Sequence, residues 1–215
     1  MSNFPTLNGA SRDDGELLDR LQHRHPGAFE EFLELYQQPI HGFIYRLLDD
    51  PSEAPDVTQE VFIKVFLKIG DFRGDSSLKT WVYRIAVHEA SNRRRWFARH
   101  RRRESCALQD DDSEVRLGRY LKDDAESPFD ATYRHEQRDL VEKTLRQMDE
   151  RLRVVVILRD VEGLSYNEIA ETLKISLGTI KSRIMRGREM LRSRLQQQVT
   201  ATIPADSALQ NGVTT

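Results

Sequence analysis

Two helix-start signals lie eleven residues apart near the C-terminal end of the chain, and they constrain its fold more than any other feature. At the first signal, Ser165 and Glu168 have the spacing of a capping box, in which each side chain bonds a backbone N–H of the other residue. At the second, Ser176 is able to cap the next helix. Each start also carries a hydrophobic staple, formed by the pairs Leu164–Ile169 and Ile175–Ile180. Two short helices joined by so tight a turn predict a helix-turn-helix.

The helix that follows Ser176 has one apolar face and one basic face. On a 3.6-residue period, the inward positions are Ile180, Ile184, Leu191 and Leu195, and Gly187 among them allows close approach. We expect the outward side chains to reach base edges and phosphates in a DNA major groove. These candidates are Lys181, Ser182, Arg183, Met185 and Arg186, flanked by Arg159 and Arg188. The alternative interpretation is a three-helix domain whose basic face is only solvated.

The rest of the chain shows helical periodicity and no strand-like alternation. In the first hundred residues the helical pattern is broken at His25-Pro26-Gly27, at Pro39 and at Asp49-Asp50-Pro51. We therefore expect an all-α protein of two small helical domains. The first domain is a helical bundle over residues 11–99, and the second contains the helix-turn-helix over residues 133–197. A flexible acidic linker, 100–132, joins them, and a disordered tail covers 198–215.

Composition and charge exclude several classes of protein. In 215 residues, no apolar run approaches the length of a transmembrane helix, and the N-terminus lacks a signal-peptide pattern. The single cysteine, Cys106, permits no internal disulfide and fits a reducing cytoplasm. There is no P-loop, serine elbow or paired metal-ligand spacing, so we expect no enzyme activity, cofactor or metal. The net charge is only −2, but an acid-free run, Arg93–Arg103, precedes an acidic stretch, Glu104–Asp130.

The stretch from Asp71 to Trp96 combines cations, aromatic rings and amides on one side of a predicted helix. Ser76 or Ser77 is able to cap this helix, and its inward face consists of Leu78, Val82, Ile85 and Ala86. The other side carries the nucleic-acid candidates Lys79, Trp81, Tyr83, Arg84, His88, Asn92 and Arg95. They suit an unpaired strand, because guanidinium groups meet phosphates and bases stack on rings. The alternative is a solvated polar face, with Trp81 and Tyr83 in the core.

The helix predicted over Pro55–Ile69 has apolar residues on two sides. Its broad core face comprises Val57, Val61, Phe62, Val65, Phe66 and Ile69. Ile63 and Leu67 lie almost opposite that face, among the polar side chains of Asp56, Gln59 and Glu60. An apolar island within an acidic rim is typical of a docking surface for another protein. The alternative is that a neighbouring helix or loop of the same chain covers Ile63 and Leu67.

These motifs together resemble the extracytoplasmic-function sigma factors, a compact branch of the bacterial sigma-70 family, and the sigma-E-like subgroup most. DVTQEVFIKVF (Asp56–Phe66) resembles the region 2 segment that docks on the polymerase clamp. FRGDSSLKTWVYRIAVHEASN (Phe72–Asn92) resembles the segment that melts and reads the −10 promoter element. LRDVEGLSYNEIAETLKISLGTIKSRIMRGREML (Leu158–Leu191) resembles region 4, which reads the −35 element. The resemblance covers about Gly15–Ala98 and Arg134–Leu195.

The resemblance implies an alternative sigma factor that recruits core RNA polymerase to promoters and promotes DNA opening. It assigns Asp56, Gln59, Glu60 and Phe62 to polymerase docking or its support, on the helix that carries the island of Ile63 and Leu67. It assigns to the −10 element Trp81, Arg84, His88 and Asn92. It assigns to the −35 element Arg159, Lys181, Ser182, Arg183, Met185 and Arg186. It also implies an anti-sigma factor as a partner.

Three residues depart from the family pattern. His88 stands where relatives often have Asn, and Lys181 and Met185 stand where they often have Arg and an aromatic residue, so promoter sequence is not transferable. The main alternative function is a helix-turn-helix regulator whose first domain senses a ligand or dimerises.

Overall fold

The computed structural model of the chain describes residues 12–104 and 138–202, with side chains over 15–96 and 138–197. Most of the predicted linker and of the predicted tail, residues 105–137 and 203–215, therefore lies outside the described residues. Within the described ranges every regular element is helical, which confirms the expectation of an all-α fold.

Within residues 12–104, four long helices build the first domain. They are α1 (Arg12–Gln22), α2 (Ala28–Leu47), α3 (Ala54–Lys68) and α4 (Leu78–Glu104). Short 3₁₀ turns, Pro51–Glu53 and Ile69–Asp71, lead into and out of α3. The buried side chains of α2 and α3 line the centre of the bundle, where Phe32 contacts Phe62 edge-on at 5.8 Å between ring centroids.

The predicted break at Pro39 is wrong. Helix α2 runs through Pro39 without interruption, from Ala28 to Leu47. A proline inside a helix removes one backbone hydrogen bond and crowds the preceding turn. Here Tyr36 and Ile40, which flank the proline, are both buried on the same side of the helix as Phe43. Burial of that continuous apolar face outweighs the local cost of the proline.

In the described part of the second domain, residues 138–202, there are four further helices. They are α5 (138–146), α6 (Glu150–Val156), α7 (Tyr166–Leu173) and α8 (Leu177–Thr202), and a π-helical turn, Ile157–Val161, extends α6. The capping box is present, since Glu168 N donates to Ser165 Oγ and Ser165 N donates to Glu168 Oε2. The backbone N–H of Thr179 likewise donates to Ser176 Oγ. The helix-turn-helix prediction is confirmed.

The turn between α7 and α8 uses a residue that the sequence did not single out. Lys174 caps α7 in the left-handed region, with φ 54° and ψ 46°. A left-handed residue at this position usually is glycine, because a side chain there costs about 1–2 kcal/mol. The two staples and the two serine caps on either side hold the turn in this conformation.

The two domains share one apolar core. Buried residues of the first domain form a single cluster with those of α6, the π-helical turn, α7 and α8. Helix α4 runs to Glu104, beyond the predicted limit at residue 99, and α8 runs to Thr202, beyond 197. The domain limits themselves stay a prediction.

We expect Gly187→Ala to destabilise the second domain by about 1–3 kcal/mol, the usual cost of overpacking a core. A Cβ at Gly187 would lie 2.6 Å from Val156 Cγ2 and 3.5 Å from the Leu152 carbonyl oxygen. Gly178→Ala is the matched control on the same helix, because a Cβ there meets no atom within 4 Å. It should leave stability unchanged or raise it slightly. Equal melting temperatures for the two variants in calorimetry would contradict the close packing of α6 on α8.

Candidate nucleic-acid interface

Helix α4 carries the first group of nucleic-acid candidates. Ser77 begins it, since its Oγ accepts from the backbone N–H of Thr80 at 3.1 Å. Leu78, Val82 and Ala86 are buried, as predicted, whereas Ile85 is only half-buried. This anchoring fixes which side of α4 faces away from the bundle.

Three predicted residues form a connected polar chain along the outer side of α4. The Asn92 amide nitrogen lies 3.1 Å from His88 Nδ1, and the Asn92 Oδ1 accepts from Arg95 Nη2 at 2.7 Å. His88 and Arg95 are exposed, and Asn92 is half-buried. One imidazole, one amide and one guanidinium on successive turns offer the donors and acceptors that a nucleic-acid strand requires.

The N-terminal half of α4 is less accessible than predicted. Trp81 is half-buried, with its ring 5.2 Å from that of Phe72, and Arg84 is also half-buried. Lys79 Nζ donates to the carbonyl oxygen of Glu162 at 2.7 Å. In this structure, therefore, the second domain engages a cation that we expected to meet DNA.

The expectation that Tyr83 lies on the exposed stripe is wrong for this structure. Tyr83 is fully buried, its ring packs edge-on against Phe43, and its hydroxyl donates to Glu162 Oε2. The pattern of residues misled us because position 83 lies between the two faces of α4. The second domain covers the side of the helix that the first domain leaves open.

Glu162 is a buried acid at the seam between the domains. Burial raises its pKa above the ordinary value, although the hydrogen bond from Tyr83 and the charges of Arg46 and Lys79 act in the opposite direction. The same burial, together with the adjacent carboxylate, raises the pKa of Tyr83. A buried carboxyl without such partners would destabilise the fold, so the Tyr83–Glu162 contact fixes the position of the second domain on α4.

A chain of ion pairs closes the other end of the seam. Asp49 accepts from Arg94 Nε at 2.9 Å and from Arg153 Nη2 at 2.8 Å, and Arg94 Nη1 lies 2.6 Å from Glu150 Oε2. Burial alone would raise the pKa of Asp49, but the two guanidinium groups lower it. Arg153 is 1% exposed, so removal of Asp49 would leave a buried cation without its carboxylate.

The proposed docking face of α3 is open to solvent in the part of the chain that the structure describes. Ile63 and Leu67 are 50% and 65% exposed, and Asp56, Gln59 and Glu60 around them are exposed as well. Arg93 of α4 lies 3.4 Å from Glu60 and 4.0 Å from Asp56. The prediction that Phe66 belongs to the core is only half right. Its ring packs on Phe29, yet the side chain is 44% exposed and extends the island.

The recognition face of α8 has the predicted orientation. Ile180 and Ile184 are buried, whereas Lys181, Met185 and Arg186 are exposed. Ser182 and Arg183 are half-buried, and Ser182 Oγ donates to the Thr179 carbonyl oxygen at 3.0 Å. Met185 is 64% exposed, a large apolar side chain set among cations and suited to thymine methyl groups.

Two arginines near this face have partners within the domain. Arg159 Nη1 donates to the Leu164 carbonyl oxygen at 2.8 Å, and its guanidinium lies 5.2 Å from the centre of the Tyr166 ring. Arg188 pairs with Asp160 through two of its three donor nitrogens, Nε and Nη2. Their charge still contributes to the potential of the face, but their direct contact with phosphate requires these bonds to rearrange.

Comparison with known proteins matches both halves of this arrangement. Residues 32–103 match the model of sigma-70 region 2, and residues 138–191 match that of sigma-70 region 4. The chain is 41% identical to the RNA polymerase sigma-H factor of Pseudomonas aeruginosa over 183 residues, 85% of this chain and 94% of that protein. It is 36% identical to the ECF RNA polymerase sigma-E factor of Haemophilus influenzae, over 85% of this chain and 95% of the relative. This chain belongs to the extracytoplasmic-function branch of the sigma-70 family.

Solved structures agree with the fold. The sigma factor RpoE of Bartonella quintana, in complex with the anti-sigma factor NepR, superposes with a TM-score of 0.63 over 79% of this chain and 98% of that one, at 24% identity. CnrH, in complex with the cytosolic domain of CnrY, gives a TM-score of 0.58 over 88% and 99%, at 19% identity. Among the described residues of this sigma factor, no helix combines the length and the apolar character needed to cross a membrane.

Sequence reasoning missed the acids that organise the interface. Glu162 lies directly before Gly163 in the sequence, and nothing in its spacing distinguishes a buried glutamate from a solvated one. Glu89 did give a signal, since it follows Val82 and Ala86 by seven and three residues on the inward face of α4. An acid on an apolar face usually has a buried partner, and here that partner is Lys64 of α3.

The raised pKa of Glu162 predicts a pH dependence. Because its pKa is higher in the folded protein than in the unfolded chain, the stability linked to its neutral form is present at low pH and is lost as pH rises through the raised pKa. Glu162→Gln keeps a neutral acceptor for Tyr83 at every pH. The melting temperature of the variant minus that of the wild type should therefore grow between pH 4.5 and pH 8. A constant or shrinking difference would contradict the burial of an ionisable group at this seam.

We also expect Tyr83→Phe to lower the free energy of unfolding by about 1–3 kcal/mol, the range for leaving a buried polar group without its partner. A double-mutant cycle with Glu162→Ala separates the pair from its surroundings, because this variant, unlike Glu162→Gln, removes the acceptor, and most of the loss should then vanish. Additive effects of the two substitutions in denaturant unfolding would mean that the hydroxyl and the carboxyl do not interact.

Proposed function

We propose that this chain is an alternative sigma factor in which α3 docks on core RNA polymerase, α4 holds an unpaired promoter strand and α8 reads duplex DNA. The observation that carries the proposal is the distribution of three different exposed surfaces over the two domains. One domain presents the apolar island of Ile63 and Leu67 next to the polar chain of His88, Asn92 and Arg95. The other presents the basic face of a helix-turn-helix.

Energies explain why a docking surface is needed at all. Opening about ten base pairs at roughly 1.4 kcal/mol per step costs on the order of 14 kcal/mol. Stacking two flipped bases on protein side chains returns only about 1–3 kcal/mol each. The chain is therefore unable to melt a promoter alone, and the remainder must come from a larger enzyme that binds and bends the DNA. The island on α3 is the surface through which that enzyme would be recruited.

Binding both promoter elements at once requires the domains to separate. Elements centred about 25 base pairs apart lie roughly 85 Å apart along B-form DNA, at 3.4 Å per base pair. A domain of about 60 residues has a radius of gyration near 10 Å. With Lys79 and Tyr83 of α4 bonded to Glu162, the helix-turn-helix lies too close to α4 to span that distance. The described arrangement is thus the closed one, and transcription uses an open one.

In the closed arrangement the two domains lie in contact, so one inhibitory protein would be able to bind both. We include an anti-sigma factor among the partners, because a protein that bridges the two domains would prevent both DNA contacts at once. The remaining partners are core polymerase and promoter DNA, and both place this sigma factor in the cytoplasm. The role is one of binding and positioning, and the polymerase performs the chemistry.

The alternative of a regulator with a sensor or dimerisation domain has less support. It would account for α7 and α8, but it assigns no role to an apolar island and a polar strand-binding face on the same first domain. Transcription by purified core enzyme, which an ordinary regulator does not support, distinguishes the two functions.

Docking is tested by immobilising core polymerase and measuring binding of the full chain. The double substitution Gln59→Ala and Leu67→Asp should weaken binding by at least about tenfold, since it removes an apolar contact worth about 1.5–3 kcal/mol and introduces a charge. Met185→Asp is the matched control, because Met185 and Leu67 are almost equally exposed. It should retain polymerase binding and weaken duplex DNA binding. Full polymerase binding by the double variant would remove α3 from the proposal.

A further inference from the structure

Glu89 lies where a nucleic-acid-binding helix would be expected to avoid a negative charge. It is on α4, next to His88, and is 3% exposed. The carboxylate has two partners on different elements of the first domain. Oε2 is bonded to Lys64 Nζ of α3, and Oε1 lies 2.8 Å from His88 Nδ1. A buried acid therefore links the docking helix to a side chain of the strand-binding face.

Charge balance keeps this acid ionised. Burial by itself would raise the pKa of Glu89, but the hydrogen bonds from Lys64 and His88 lower it below the ordinary value. An ionised carboxylate has acceptors only, so it bonds the imidazole only if Nδ1 carries the proton. The structure thus constrains the protonation of a ring whose side chain is 64% exposed.

The Asn92 amide also lies beside His88 Nδ1, at 3.1 Å, and its N–H₂ group is able to donate only to an unprotonated Nδ1. The Glu89 carboxylate is closer to Nδ1, at 2.8 Å, and a hydrogen bond to an ionised acceptor is about twice as strong as a neutral one, so the contact with Glu89 favours the Nδ1–H form. The amide oxygen is directed to Arg95 Nη2, which fixes the orientation of the group. Glu89 is therefore the acceptor for His88 Nδ1–H, and a neutral ring then carries its lone pair on Nε2, the nitrogen remote from Glu89.

We propose that Glu89 is a positioning residue that fixes His88 as the Nδ1–H tautomer, so that His88 Nε2 accepts a hydrogen bond from the exocyclic amino group of one unpaired base. The inference rests on the proposed strand-binding role of α4. It names the chemical group that His88 recognises, since adenine, cytosine and guanine carry an amino group at their pairing edge and thymine does not. Lys64 of α3 holds the Glu89 carboxylate in place. Residues of both α3 and α4 therefore determine which group of the base His88 recognises.

The substitution Glu89→Gln tests this proposal directly, because Lys64 also determines the orientation of the glutamine side-chain amide. Lys64 has donors only and takes the amide oxygen, which leaves the amide N–H₂ to face His88 Nδ1. That nitrogen must then accept, and the proton moves to Nε2. The substitution preserves shape and converts His88 Nε2 from an acceptor into a donor, which favours a base carbonyl oxygen over an amino group.

The tautomer is measured on the full free chain by nitrogen-15 NMR of histidine-labelled protein at alkaline pH. The His88 signal is assigned by its loss in His88→Phe. We expect Nδ1–H in the wild type and Nε2–H in Glu89→Gln. Glu150→Gln, which removes a carboxylate that contacts Arg94 of the same helix, is the control and should leave the His88 tautomer unchanged. A wild-type Nε2–H tautomer, or no change in Glu89→Gln, would overturn the proposal.

Base recognition is measured with core polymerase, the full chain and a promoter containing a pre-opened bubble. Each adenine of the exposed strand is replaced in turn by nebularine, a purine without the amino group, each cytosine by its 4-deamino analogue, and each guanine by hypoxanthine. At one position the wild type should bind about three- to tenfold more weakly, the range for one neutral hydrogen bond, and Glu89→Gln should show no such loss.

A result that contradicts this proposal is distinguishable from a result that contradicts the proposed function. Wild-type binding that is insensitive at every position would overturn the amino-group assignment even if the tautomer is as expected. In contrast, loss of the strand-binding role itself would appear as a bubble that the wild-type chain and core polymerase do not bind at all. The NMR measurement does not depend on DNA.

Discussion

The hydrogen bond between the Tyr83 hydroxyl and the Glu162 carboxyl group is the contact on which this structure depends most. Both groups are buried, and each would be costly to bury without the other. The contact joins α4 to the segment before α7, so it sets where the helix-turn-helix lies relative to the strand-binding face. The ion pairs around Asp49 secure the same seam at its other end. Under the proposed function, the side of α4 that packs against the second domain in the closed arrangement would face the promoter strand in the open one.

The accessible surfaces suggest an order of events. Ile63 and Leu67 are exposed while Tyr83 is fully buried, so the docking face is available before the domains separate. The outer face of α8, with Lys181 and Met185, is exposed as well. Polymerase binding can therefore come first, and separation can follow once the larger enzyme offers each domain a new contact. By binding the separated domains more tightly than the closed arrangement, the polymerase would supply the free energy that breaks the seam.

Local signals in the sequence predicted most of the fold, and long-range contacts account for what it did not predict. The capping box at Ser165 is fixed by residues within one turn, and the structure has it. Local periodicity also placed Gly187 on the inward side of α8, where it lies against Val156 of α6. The predicted helix break at Pro39 was wrong because the burial of apolar residues before and after the proline outweighs its local cost to the helix. Tyr83 was misplaced for a related reason, since its partner lies 79 residues away. The exposed candidates on α3 and α8 were predictable because amphipathic periodicity records which side of a helix lacks a partner. The buried acids were not, apart from Glu89, because a single sequence does not show what a charge meets.

The central claim is that α4 exchanges the second domain for promoter DNA, and an interdomain distance tests it most directly. Spin labels at Lys68→Cys on α3 and Arg192→Cys on α8, in a Cys106→Ser background, report that distance by pulsed electron paramagnetic resonance. The free chain should give a single distance below about 50 Å, as expected of two small domains in contact. Addition of core polymerase and promoter DNA should lengthen it by at least about 30 Å, in keeping with the spacing of the two promoter elements. A distance that stays unchanged in complexes that start transcripts would contradict the account.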